Sequence, residues 1–293
     1  MSREQKEDTP QKQWEQCLHW AEEKDEDFHE RCKAIGANIE NFSLAKIAAF
    51  PLQSKQQSLS PFSRLTLPMS GVARMLGTTP YLAEELELWK ANSANWLRAC
   101  GVNRTSVLLI ADGFKGEGPA WGILEGAKSL QAMVVTMSKK PWETVVEYGA
   151  NTCALTAPLL GQWIDSGKDH GTCQAFFCLS NDLSNRQRNV WQAKLGVPIY
   201  RQLGIRGVQA SVVAWECSQQ QGYHCAMDCF WPEIIDSKTT KVIPASREGE
   251  LVLTALERRS TTAIRLRTGW EGRFVEGVCA CGISWPRFVL KEK

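Results

Sequence analysis

Four side chains near the end of this 293-residue chain are of the types that hold a metal ion. Cys217 and His224 are separated by six residues, with Gly222 among them to let the backbone turn, and Cys279-Ala280-Cys281-Gly282 follows much farther on. Thiolate sulfur and imidazole nitrogen are the preferred ligands of structural zinc, and a closed site takes four of them in a tetrahedron. A Cys-x-Cys followed by glycine suits a knuckle in which both sulfurs face one ion. An ion shared by the two halves would close a long loop and tie the last turn of this region to its first strand. Four such donors leave no position for water, so the expected role is structural, and a disulfide is not expected in a reducing compartment. Spacing alone leaves a second reading open, in which these are buried thiols beside a surface histidine. It also allows Cys225 or Cys229 to replace one of the four ligands.

The chain holds eleven cysteines, an odd number that excludes complete internal pairing. Cys100, Cys153 and Cys178 sit among apolar neighbours, where a reduced cysteine acts as a small hydrophobe. The cluster from Cys217 to Cys281 calls for a separate explanation, and metal is the usual one. With 34 basic and 32 acidic residues the formal charge is +2, so neither nucleic acid nor an anionic membrane is an expected partner. No apolar run approaches the roughly 18 residues of a membrane span. The polar start, MSREQKEDTPQKQWEQ, does not read as a signal peptide, and the expected location is cytoplasmic.

The elements that must position these residues divide into three stretches. Residues 1–80 predict peripheral helices followed by an irregular surface segment rich in proline and serine. Residues 81–207 alternate. A helix from about Leu82 to Cys100 stops at Gly101, and strands are predicted at Val107–Ala111, Met133–Thr136, Cys153–Thr156, Phe176–Leu179 and Val197–Tyr200, with helices between them. That alternation predicts an α/β fold with a mostly parallel sheet and flanking helices. Residues 208–293 predict an antiparallel, β-rich, zinc-stabilised subdomain with strands in SVVAWEC, CFWPEIID, GELVLTAL and TAIRLRT.

Other residues carry weaker signals. The glycine-rich DGFKGEGPAWG (112–122) lacks the Gly-Lys-Ser/Thr ending of a phosphate loop and reads as a structural turn. Asp182, Arg186 and Arg188 read as a helix start with a solvated face. Arg265 and Arg267, two apart on a predicted strand, would share one face. Trp215, Trp231 and Trp285 lie near the proposed ligands in sequence and are candidates to shield an ion from water.

The segment from Ala214 to Gly269 resembles the phenylacetate–CoA ligase family of adenylate-forming (AMP-binding) enzymes. The resemblance rests on A-W-E-C before G-Y-H, on E-I-I-D, G-E-L-V-x-T-x-L and I-R-x-R-T-G, and on the later C-x-C-G-x-x-x-P-R. It extends over residues 28 to 288, with LGVPIYRQLG resembling the strand and turn before the family's central motif. It implies the large-domain fold of that family, cysteines and a histidine at the metal positions, and a reaction in which a carboxylate attacks the α-phosphate of ATP and coenzyme A then displaces AMP. The sequence departs from the pattern where that chemistry is done. Gly77-Thr78-Thr79 is either a remnant of the phosphate loop or part of the segment after it. Arg206 and Gly207 stand where the family has a Thr-Glu pair for phosphate and magnesium, and neither ligates magnesium. Trp270 stands where the family has its ribose-binding aspartate, and the family's small C-terminal lysine domain is not expected after Arg287.

The resemblance thus implies no catalytic residue, and it leaves ATP, AMP and coenzyme A without their usual partners. Tyr200, Gly204 and Arg267 are the expected remnants of the ligand pocket. The leading expectation is a non-catalytic relative that binds a small carboxylic acid or a protein partner. The alternatives are an ATP-dependent ligase completed by a partner chain, and a scaffold subunit.

Overall fold

The computed structural model describes residues 10–37, 43–54, 65–111, 118–136, 140–275 and 277–291, with backbone alone at 210 and 211. The glycine-rich turn at 112–117 lies outside the described residues. In chain order the elements are α1 (Pro10–Lys24), α2 (Glu26–Ile35), β1 (Arg74–Leu76), β2 (Thr79–Tyr81), α3 (Ala83–Ala99), β3 (Val107–Ala111), α4 (Gly118–Ser129), β4 (Met133–Thr136), α5 (Pro141–Tyr148), β5 (Thr152–Leu155), α6 (Ala157–Asp165), β6 (Ala175–Cys178), α7 (Asn185–Leu195), β7 (Ile199–Ile205), β8 (Gln209–Glu216), β9 (Tyr223–Cys225), β10 (Phe230–Ile235), β11 (Gly249–Ala255), β12 (Leu266–Val275) and β13 (Arg287–Leu290). They form two compact units, one of Met1–Glu85 with Met227–Gly272 and one of Leu86–Ala226 with Arg273–Lys293.

The second unit carries the parallel sheet that the alternation predicts. β3 pairs in parallel with β4 and β5, β5 with β6, and β6 with β7. The inner strands β3, β5 and β6 are buried over almost their whole length, as a sheet covered by helices requires. Leu109, Cys153, Phe176 and Ile199 form one cluster with Leu160 and Trp163 of α6, while Trp96 of α3 packs edge-on to Phe177 at 5.1 Å. Helix boundaries follow local chemistry. Pro141 opens α5, Gly149 closes it with φ +63°, and the Ser184 side chain caps α7 by accepting from Gln187 N at 3.1 Å. Beyond β7 the pairing turns antiparallel, through β8 and β9 to β13.

In the first unit the N-terminal helices are not peripheral. Trp14, Cys17, Leu18 and Ala21 recur at helical spacing and are buried, and with Phe28, Cys32, Phe50, Leu256 and Ile264 they make this unit's core. The stretch read as irregular contains the β1–β2 hairpin, and Gly77-Thr78 is its two-residue loop because Leu76 pairs with Thr79. β10, β11 and β12 form an antiparallel meander. The predicted strand TAIRLRT begins only at Leu266, because Arg265 adopts φ +50°, outside the extended region that regular strand pairing needs. Arg265 instead turns into the unit, pairing with Glu233 at 3.1 Å and donating to the carbonyl of Phe50 at 2.6 Å. Glu85 is buried in the same unit. It pairs with Arg258 at 3.1 Å and accepts the backbone N–H groups of Leu82, Arg259 and Ser260. Among the described residues no helix is long and apolar enough to cross a membrane.

Candidate metal centre

The antiparallel register builds the centre. β8 ends at Glu216, and Cys217 opens the loop to β9, where Gln220 N donates to Cys217 O at 3.0 Å and Gly222 reverses the chain with φ +97°. The β8–β9 pairing sets His224 opposite Trp215, and β13 pairs with β9 so that Arg287 faces His224. The segment leading into β13 is thereby carried to the same end of β9. There Cys279, Ala280 and Cys281 form a tight turn, closed by Gly282 N donating to Cys279 O at 3.0 Å.

The side-chain geometry fits one ion. The ligand atoms of Cys217, His224, Cys279 and Cys281 all lie within 4.8 Å of one another. Cys217 Sγ and Cys279 Sγ are 3.6 Å apart, and Cys281 Sγ is 3.4 Å from His224 Nε2. Tetrahedral zinc with Zn–S of about 2.3 Å and Zn–N of about 2.0–2.1 Å requires edges of roughly 3.8 Å between sulfurs and roughly 3.6 Å from sulfur to nitrogen. A bonded disulfide would need about 2.05 Å. All eleven cysteines are free thiols. The Nδ1 atom of His224 lies 3.2 Å from Trp285 O, which fixes the ring with Nε2 toward the cluster, as the outer partner of a ligating histidine does. Cys217 and His224 are fully buried, Cys279 nearly so and Cys281 half-buried, and the Trp215 ring packs on His224 at 5.5 Å and on Trp285 at 6.0 Å. Trp231 takes no part in this wall; it packs in the Trp14 core of the other unit.

Burial pushes the Cys217 thiol up to about 12. At Cys279 burial also acts to raise the value, but hydrogen bonds from the Cys281 backbone N–H and from the neighbouring thiols outweigh it and hold the thiol below its ordinary value. Burial lowers His224, which keeps its imidazole neutral and able to donate a lone pair. The two spare cysteines do not compete. Cys225 follows His224 on a strand and so points to the opposite face, where burial alone raises it to about 12, and Cys229 belongs to the other unit.

The expected pocket remnants are divided between the two units. Tyr200 and Gly204 lie on β7; the Tyr200 ring packs on Phe177 at 5.5 Å, and Gly204 exchanges hydrogen bonds with the Asn181 side chain at 2.8 and 3.0 Å. Arg267 lies on β12 in the other unit, where it is ion-paired with Glu250. A second charged group went unread in the sequence. Glu216, 1% exposed, pairs with Arg188 at 2.7 Å and with Arg201 at 2.6 Å. Arg188 is therefore buried rather than part of a solvated helix face. The signal was available: a carboxylate inside the apolar run SVVAWEC must find buried cations.

No protein-family model matches the chain. Among curated proteins it is similar to phenylacetate-coenzyme A ligases. The one from Aromatoleum evansii is 27% identical over 248 residues, covering 77% of this chain and 56% of the relative. The one from Escherichia coli (strain K12) is 24% identical over 274 residues, covering 85% and 63%. The chain thus spans between 56% and 63% of the length of the relatives it matches. Among solved structures, 2-hydroxyisobutyryl-CoA ligase, in complex with 2-HIB-AMP and CoA in the thioesterification state, superposes with TM-score 0.84 at 17% identity, covering 98% of this chain and 67% of that one. The anthranilate CoA ligase AuaEII in complex with anthranoyl-AMP gives a TM-score of 0.53 at 12% identity, covering 72% and 44%.

Proposed function

From a chain that is a relative of the phenylacetate–coenzyme A ligases, and that carries the large-domain fold of adenylate-forming enzymes, we propose a binding protein that does not adenylate, held together by a structural zinc ion on Cys217, His224, Cys279 and Cys281. The observation that carries this reading is the turn after β7. By resemblance it is where phosphate and magnesium would be met, and it consists of exposed Arg206 and of Gly207 at φ +85°. Neither residue offers a carboxylate to magnesium, and Trp270 takes the place of the ribose-binding aspartate. Loss of a single transition-state donor costs on the order of 10²–10³ in rate, so losses at several positions weigh against adenylation. Zinc here would be structural: four N/S donors close the tetrahedron and leave no site for a water to be activated.

Pyrophosphate release with magnesium–ATP, a panel of aryl acids, and coenzyme A present or absent tests the proposal. The expected result is no turnover above background. Saturable, acid-dependent release would overturn it. A second reading, a ligase completed by another chain, draws support from the acyl-adenylate and CoA named in the neighbouring structure. It predicts release once that chain is supplied. In the absence of turnover, calorimetry with small carboxylic acids separates an acid-binding protein from a scaffold that binds only protein.

A further inference from the structure

Between α7, the β8–β9 loop and β13, all in the second unit, lies a cavity of about 300 Å³. Its charged lining is unbalanced. Arg188, Arg201 and Arg287 line it against the single carboxylate of Glu216, and none of the four is more than 8% exposed. Three guanidiniums against one carboxylate leave an excess of two positive charges in a region where an uncompensated charge is costly.

The donors are not equally committed. Arg201 gives Nε and Nη2 to Glu216, Nη1 to Leu183 O and Nη2 also to Asn185, so it is fully engaged. Arg188 reaches Glu216 through Nη1 only, and its buried Nε has no hydrogen-bond partner. Arg287 donates to uncharged oxygens, the carbonyl and side-chain oxygens of Gln221 at 3.3 Å each and Gly277 O at 3.5 Å, and pairs with no carboxylate among the described residues. Two guanidiniums with spare capacity therefore border one small space. Guanidinium is the group best matched to carboxylate and phosphate oxygens. Val275, Val289 and Leu290 give the wall an apolar part, beside the uncharged polar side chains of Asn185, Gln220 and Gln221.

We propose that this cavity is a binding site for a small organic anion, a carboxylate or phosphate monoester bearing a compact apolar group. Arg188 and Arg287 take the charge, and Val289 and Leu290 take the apolar group. None of Leu203–Gly207 lines the cavity, so the site is separate from the nucleotide positions and stands whether or not the chain adenylates.

Isothermal titration of the full chain at low ionic strength tests this, with benzoate, phenyl phosphate, inorganic phosphate and neutral benzyl alcohol as probes. The site predicts saturable one-to-one binding of benzoate or phenyl phosphate, tighter for phenyl phosphate than for inorganic phosphate, and none of the alcohol. Arg287→Gln weakens binding at least tenfold and Arg287→Lys recovers part of it. Because Arg287 also anchors β13, a second variant is needed: Val289→Phe keeps every charge, fills the space, and also weakens binding at least tenfold. Absence of anion binding, equal binding of the alcohol, inorganic phosphate binding as tightly as phenyl phosphate, or binding unchanged in both Arg287→Gln and Val289→Phe would each overturn the assignment.

Discussion

Cys279→Ser removes one ligand of the proposed metal centre, and its effect can be worked from the loop that the ion would close. Cys217 and Cys279 are 62 residues apart in the chain. Treated as a covalent cross-link of that span, the clip restricts the unfolded chain by about 14 cal/mol/K, or about 4 kcal/mol at 25 °C. Changing a buried thiol to a hydroxyl in a metal-free site would instead cost on the order of 1 kcal/mol for one displaced polar group. The two cases differ enough to separate. At roughly 2–3 °C per kcal/mol for a chain of this size, the metal case lowers Tm by roughly 8–12 °C and the metal-free case by roughly 2–3 °C. The assay is thermal unfolding by circular dichroism of the wild type, Cys279→Ser and Cys225→Ala, each with and without a strong chelator. Wild type and Cys225→Ala fall on chelation, whereas Cys279→Ser starts low and does not move. A wild type indifferent to chelator, melting within about 3 °C of Cys279→Ser, would refute the reasoning.

Three further perturbations follow from buried and turn-forming charges. Glu216→Gln leaves Arg188 and Arg201 buried without a counter-charge and lowers stability by about 3–5 kcal/mol in urea unfolding; a change below about 1 kcal/mol would show that the pair is not formed. Glu85→Ala strips Arg258 and the N–H groups of Arg259 and Ser260 of their acceptor, with a loss of similar size, about 3–5 kcal/mol, and no effect on metal content. The Asp236 carboxylate accepts from the Thr239 N–H, the Thr239 hydroxyl and the Lys238 N–H, which hold it below its ordinary value of 3.8. A folded value below the unfolded one means that its contribution is present above the ordinary value and lost as pH falls through the folded value. Asp236→Ala therefore lowers stability at neutral pH and flattens the acid limb of the pH–stability curve, and an unchanged limb would contradict this.

Much of the fold was legible because its signals are local. The short apolar runs Val107–Ala111 and Phe176–Cys178, punctuated by Gly101, Pro141, Gly149 and Pro158, specify strand and helix without tertiary information. What was missed depends on partners distant in sequence. Trp14 and Phe28 look like a weak amphipathic stripe until Leu256 and Ile264 cover them. The β1–β2 hairpin is three residues a side, too short for an alternation pattern to register. Arg265 fits a strand by composition, but Glu233 and the carbonyls of Ala48 and Phe50 hold it in another conformation. At the site, residue types and glycine-marked turns pointed to Cys217, His224, Cys279 and Cys281, and the structure brings these four together. The charge imbalance around Arg188, Arg201 and Arg287 was invisible in sequence, because those residues lie on three separate elements, which the β7–β8 and β9–β13 pairings bring to one cavity.

The metal centre is tested most directly by measuring metal content together with X-ray absorption at the zinc edge on tag-free protein purified without added metal. The account predicts one zinc per chain, with three sulfurs at about 2.3 Å and one nitrogen at about 2.0–2.1 Å. Substoichiometric metal, or a zinc surrounded only by oxygen and nitrogen, would contradict it.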